Sequence, residues 1–100
     1  MAFMHWEKLR EGVFAKHLAK DPKSGLQTDL IKISPNWKDV KHYHNGFEWV
    51  YVLDGSIEDE KGKHVKGDFF VNEKDAEHKP VSKDGCLLLI VWRGSIRLEK

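Results

Sequence analysis

Several features that would point elsewhere are missing from this chain. It has a single cysteine, Cys86, so no internal disulfide framework can staple it. No run approaches the roughly 18 apolar residues of a membrane-spanning helix. The first twenty residues, MAFMHWEKLREGVFAKHLAK, lack the apolar stretch of a signal peptide. These absences predict a cytoplasmic protein with no membrane partner. Charge of one sign does not dominate either, because the net charge is +1 and acids and bases are mixed along the chain. A nucleic-acid binder concentrates positive charge on one face, so no nucleic-acid partner is expected. There is no nucleophile elbow, P-loop, CxxC pair or GxGxxG, which leaves acyl transfer, nucleotide binding and zinc fingers without support. Low-complexity segments, Pro/Gly-rich linkers and internal repeats are lacking too, and 100 residues predict one domain.

What the chain does contain is short strand-like segments separated by turn signals. Val13-Phe14 after Gly12 favours irregular edge strands over a helix in the first segment. DPKSG, from Asp21 to Gly25, is a turn cluster. In TDLIKIS, Ile31 and Ile33 flank Lys32, the alternation of a half-buried strand. SPNW turns the chain, KDVKHYH continues it, and EWVYVLDG is the strongest strand, expected to close at a turn on Asp54-Gly55. SIEDEKGKHVKG reads as a solvated hairpin turning near Gly62. DFFV, KPVS and SIRLE are further short strands. CLLLIVW, Cys86 to Trp92, is an apolar run that predicts a strand buried on both faces. Four Trp and five Phe suit a sheet core of large side chains. Many short strands at close spacing predict an all-β sandwich or small barrel.

The chemistry concentrates in KHYHNGFEWVYVLDG, residues 41–55. Side chains alternate along a strand, so His42 and His44 are predicted on one side. Glu48, Val50 and Val52 share one face of the next strand, and Trp49, Tyr51 and Leu53 the other. A kink at Asn45-Gly46 lets Glu48 turn back toward the two imidazoles. Two imidazoles and a carboxylate converging on one point chelate a divalent transition ion, and the carboxylate offsets part of its charge. His78, at the end of KGDFFVNEKDAEH, is a natural fourth ligand. Asp75 and Glu77 beside it are alternative carboxylates.

These residues resemble the cupins. The family's first motif, G-x5-H-x-H-x3,4-E-x6-G, falls on Asn36, His42, His44, Glu48 and Gly55. Asn36 stands where the motif has Gly, and Asn also tolerates positive φ. Of the second motif, Gly67 and His78 answer, while Glu73-Lys74-Asp75 replaces its P-x-G turn. Trp6, Gly12, Val13, Lys16 and Leu18 resemble the ChrR-type anti-sigma-factor group, which includes acetylacetone-dioxygenase-like proteins. The resemblance implies a cupin double-stranded β-helix, a jelly-roll barrel, with an N-terminal edge segment at about 1–25 and a barrel core at about 26–95. It implies a metal site of His42, His44, Glu48 and His78, holding Fe, Mn, Ni or Zn. It implies a small-molecule substrate or ligand and a homodimer. Two functions follow from it. One is a metal-dependent dioxygenase or related oxidoreductase acting on a small dicarbonyl, enol or phenolic compound, with Glu48 as ligand and candidate base. The other is a non-catalytic sensing or regulatory domain like that of ChrR. Four protein ligands satisfy tetrahedral Zn, whereas an octahedral ion keeps open positions for a substrate.

Other residues have plainer expectations. His5, His17 and His64 lie outside both motifs and are expected at the surface. Cys86 is expected to be a small buried hydrophobe, and Trp37, Trp49 and Trp92 to be core or interface residues.

Overall fold

The structure, a computed structural model, describes residues 5–38, 42–44, 46–73, 77–93 and 96–98; for 42–44, 77–78 and 96–98 it describes the backbone alone. The alternating segments become strands: β1 (Glu7–Arg10), β2 (Val13–Lys20), β3 (Gln27–Ile33), β4 (Trp37–Lys38), β5 (His42–His44), β6 (Glu48–Asp59), β7 (Gly62–Val65), β8 (Phe69–Asn72), β9 (Glu77–His78), β10 (Val81–Ser82), β11 (Cys86–Trp92) and β12 (Ile96–Leu98). The described residues include no helix, and so none long and apolar enough to cross a membrane.

Among the described residues, nine strands form one sheet in the order β1-β2-β3-β11-β6-β10-β4, with β7 and β8 also paired to β6. Three more form the sheet β12-β5-β9. Every ladder is antiparallel. The core follows from register. Ile31 opposes Ala15 and Leu88, and Leu88 opposes Val52. Ile33 opposes Val13 and Cys86. All of these are buried, because opposed residues of an antiparallel pair stand on one face.

Two expectations need correction. The strand opening at Glu48 does not close at Asp54-Gly55 but runs on to Asp59. There the ladder to β11 slips, from Asp54↔Leu87 to Val52↔Leu88, and Gly55 adopts φ 73. A Cβ at Gly55 would lie 2.1 Å from the Gly85 carbonyl oxygen, so only glycine permits this close strand contact. The extra residue is Leu53, directly before the pair that looked like a turn, and such a bulge bends a strand without ending it. The second half of β6 then pairs with β7 and β10.

The second correction concerns β11. Cys86, Leu88, Ile90 and Trp92 are buried, but Leu87, Leu89 and Val91 are only half-buried. One face meets the core; on the other, Leu89 and Val91 lie opposite Tyr51 and Trp49 at the surface.

The bend rolls the sheet. Ile57 opposes His64 and Val50 opposes Phe70, far apart along β6. Yet the His64 and Phe70 rings stack at 3.8 Å with planes 15° apart. A turn at Val65–Asp68 completes the fold-over, closed by Asp68 N–H to Val65 O at 2.9 Å and Val65 N–H to Asp68 Oδ2 at 2.8 Å.

Candidate metal centre

Glu48 opens β6, and its place on the inner face is dictated by parity. Glu48, Val50 and Val52 are buried, Trp49 is half-buried and Tyr51 is exposed. A carboxylate set among valines needs polar partners to offset desolvation. One is Asn72, whose Nδ2 donates to Glu48 Oε1 at 2.8 Å. The two are register partners across β6 and β8, and Asn72 is only 3% exposed. A carboxylate can only accept, so the Asn72 amide nitrogen must face it.

Of the four predicted ligands, Glu48 is the one whose side chain is described. The side chains of His42, His44 and His78 lie outside the described residues, as do Asp75 and the side chain of Glu77. The backbones of the three histidines are placed. β5 lies between β12 and β9, and His42 is the register partner of His78. Among the described residues no three His, Cys, Asp or Glu side chains gather as a metal-binding group. Asn36, at the position of the first-motif glycine, adopts φ 61, the conformation that Asn tolerates.

The inner face holds a second polar group that the sequence reading did not single out. Asp29 is fully buried. Its Oδ2 accepts from Trp92 Nε1 at 2.7 Å and from Gln27 Nε2 at 2.8 Å, and its Oδ1 lies 2.7 Å from His17 Nδ1. His17 Nε2 reaches Glu7 Oε2 at 3.1 Å. The hydrogen bond to Asp29 is the main cause that raises the His17 pKa above the ordinary range. Desolvation opposes the shift, while the charge of Asp29 and the contact with Glu7 add to it. Asp29 opposes Ile90, which opposes Val50, which opposes Phe70. The Glu48–Asn72 pair occupies the next inward-facing row.

His17 lies at the surface as expected, though in contact with two carboxylates, whereas His64 is more enclosed than expected. The His17 side chain is half exposed, but its ring is held between two carboxylates. His64 is 14% exposed at its side chain and contacts Asp59 Oδ1 at 3.2 Å while stacking on Phe70. Parity was the missed signal. Asp29 shares a face with Ile31 and Ile33, His17 with Val13 and Ala15, and Asn72 with Phe70. Cys86 behaves as expected of a buried hydrophobe. Burial pushes its thiol up to about 11, with a hydrogen bond to Ser82 working the other way. Trp37 and Trp92 are core residues.

No curated protein matches this chain. Among solved structures, an RmlC-like cupin protein from Ralstonia eutropha is 19% identical with a TM-score of 0.84, over 97% of this chain and 68% of its own. The complex of Rhodobacter sphaeroides SigE with the anti-sigma ChrR gives 27% identity and a TM-score of 0.76, over 87% of this chain and 47% of the matched one. The chain thus spans about half of that relative. An acetylacetone dioxygenase from Acinetobacter johnsonii gives 14% identity and a TM-score of 0.82, over 95% and 72%; at that identity the likeness is one of fold. The profile of the ChrR cupin-like domain matches residues 1–96. With an all-β sheet rolled at Gly55 and these matches, the chain belongs to the ChrR cupin-like domain family.

Proposed function

We propose that the domain binds one divalent transition ion through His42, His44, Glu48 and His78. The observation that carries this reading is Glu48, a carboxylate 7% exposed that faces the apolar interior beside Val50 and Val52. Burying a carboxylate is costly unless it is paired, hydrogen-bonded or bound to metal. The Asn72 amide is a hydrogen-bond partner of this carboxylate, at Oε1. Backbone register supports the rest of the donor set, since His42 and His78 are partners on the neighbouring strands β5 and β9. Three imidazoles and one carboxylate fit Fe, Mn, Ni or Zn. Such an ion supplies Lewis acidity and orients a ligand when bound. The chain's own part is to hold the ion with one negative charge, from Glu48. Val50, Val52, Leu88, Ile90 and Phe70 keep bulk water from the interior.

Metal-dependent sensing or regulation of the ChrR kind is the better-supported use of this site. The profile match over residues 1–96 and the 27% identity to a chain of the SigE–ChrR complex favour it. A metal-dependent dioxygenase acting on a small dicarbonyl, enol or phenolic compound is the second reading. It is favoured by the apolar inner wall and the shared fold with acetylacetone dioxygenase. Elemental analysis of the purified protein, followed by dioxygen uptake with acetylacetone and related β-diketones, separates them. Stoichiometric Zn without uptake supports the sensing role. Fe, Mn or Ni with uptake assigns the enzyme. Protein that takes up no transition ion contradicts both.

A further inference from the structure

We propose that a second copy of this chain docks on the outward face of the sheet, centred on β11. The parity that buries Val50, Val52, Leu88 and Ile90 turns the residues between them outward. Leu30, Leu89, Tyr51 and Phe69 are successive register partners across β3, β11, β6 and β8, and they form one outward row. Val91, Trp49 and Val71 form the next. Tyr51 is 40% exposed and Phe69 61%. Phe47, also exposed, sets its ring edge toward Trp49 at a centroid distance of 5.8 Å. A sheet face that meets water is ordinarily polar. Here two adjoining rows on the central strands are apolar, and an exposed apolar patch of this extent marks an interaction surface. Glu48 points to the other side of the same sheet, so this surface and the candidate metal centre are independent.

Charge identifies the partner as a second copy. Lys32 on β3 and Asp54 on β6 are both register partners of Leu87 on β11, one strand to either side. Both are exposed, and with Trp6 and Leu87 they border one hollow of about 350 Å³. A two-fold axis along β11 lays β3 of one copy over β6 of the other. Lys32 then meets the partner's Asp54, and Asp54 meets the partner's Lys32. The same axis sets Trp49 over Thr28 and Tyr51 over Leu30, large against smaller. Such an isologous contact closes at two copies. Aligned sheets pack face to face about 10 Å apart. The five strands β2, β3, β11, β6 and β8, about 4.8 Å apart and over the seven residues of β11, make a face of about 24 by 24 Å. Two such faces together bury about 1,100 Å², above the roughly 1,000 Å² that a specific association needs.

The test is sedimentation equilibrium of the full chain at micromolar concentrations, with circular dichroism to show that each variant folds. Wild type is expected at twice the chain mass of 11.6 kDa. Tyr51→Glu puts a charge in the middle of the face and is expected to leave a folded monomer; Phe69→Glu is the second variant should the first misfold. Lys32→Glu and Asp54→Lys each set like charges against one another at both ends of the two-fold contact. Each is expected to raise the dimer dissociation constant about 10- to 100-fold. Combined in one chain, the two reversals restore opposite-charge pairs and with them the wild-type constant. A wild-type chain that sediments as a monomer overturns the proposal. So do folded Tyr51→Glu and Phe69→Glu variants that dimerise like the wild type, since another surface then joins the copies. A double reversal no tighter than the single ones overturns the pairing of Lys32 with Asp54 and the arrangement built on it.

Discussion

Trp92 on β11 donates its indole N–H to Asp29 on β3 at 2.7 Å, and Asp29 is fully buried. The bond crosses the core between adjacent strands and ties the indole to a carboxylate that also holds His17 and Gln27. It fixes one end of the inner face, one row from Glu48.

Trp92→Phe keeps an aromatic ring in the core but removes this donor. Hydrogen bonds to charged groups contribute about 1.5–3 kcal/mol. Denaturant unfolding should show a loss of about 2 kcal/mol in the variant. A change within about 0.5 kcal/mol would mean that the bond is replaced without cost.

His17 carries a pH dependence whose sign follows from its raised pKa. The folded state holds the proton more tightly than the unfolded chain. The stabilisation is therefore full below the unfolded value near 6.5 and is lost as pH rises through the folded value. The ring is half exposed, so solvent screening limits the effect to about 0.2–1 kcal/mol. Wild type and His17→Gln should differ more in unfolding free energy at pH 5.5 than at pH 8.5. An equal difference at both would remove the charge on His17 from the account.

Gly55→Ala tests the bend in β6. The position has φ 73, and a Cβ would lie 2.1 Å from the Gly85 carbonyl oxygen. Strained backbone alone costs about 1–3 kcal/mol, and the clash adds to it because backbone must move. The variant should unfold at least about 3 kcal/mol more easily or fail to fold. Wild-type stability would mean that the bulge relaxes freely.

Cys86 should be unreactive in the folded protein. Its thiol is buried and raised to about 11, and the thiolate is the nucleophile. Iodoacetamide at pH 8 should label it only under denaturing conditions. Rapid labelling of folded protein would show that the β11 end opens.

The strands of this fold were legible because period-two alternation and turn residues mark them locally. Ile31 and Ile33 around Lys32 and the run from Cys86 to Trp92 were readable as strands, and parity put Glu48 inside with Val50 and Val52. The bulge at Leu53, beside Gly55, is not legible in the sequence. Asp-Gly is a turn signal in isolation, and the contact that turns it into a bend comes from Gly85, distant in sequence. Asp29 and Asn72 were passed over for a related reason. The motif drew attention to His and Glu, while the hydrogen bonds to Trp92 and Glu48 exist only once the strands are paired. The sequence puts His17 and His64 outside both motifs and so at the surface, which holds for His17; His64 is enclosed by Phe70, which lies on another strand.

The most direct test of the metal site is a stoichiometric titration of metal-free protein with Zn²⁺ and Fe²⁺, followed by thermal unfolding with and without chelator. One ion per chain is expected, and His78→Ala should lose most of it. At free ion about 100-fold above the dissociation constant, binding adds about 2.7 kcal/mol, which raises the melting temperature by roughly 10–20 °C for a domain of this size. A chain that retains no ion after dialysis, and melts at one temperature whether or not chelator is present, would contradict the site.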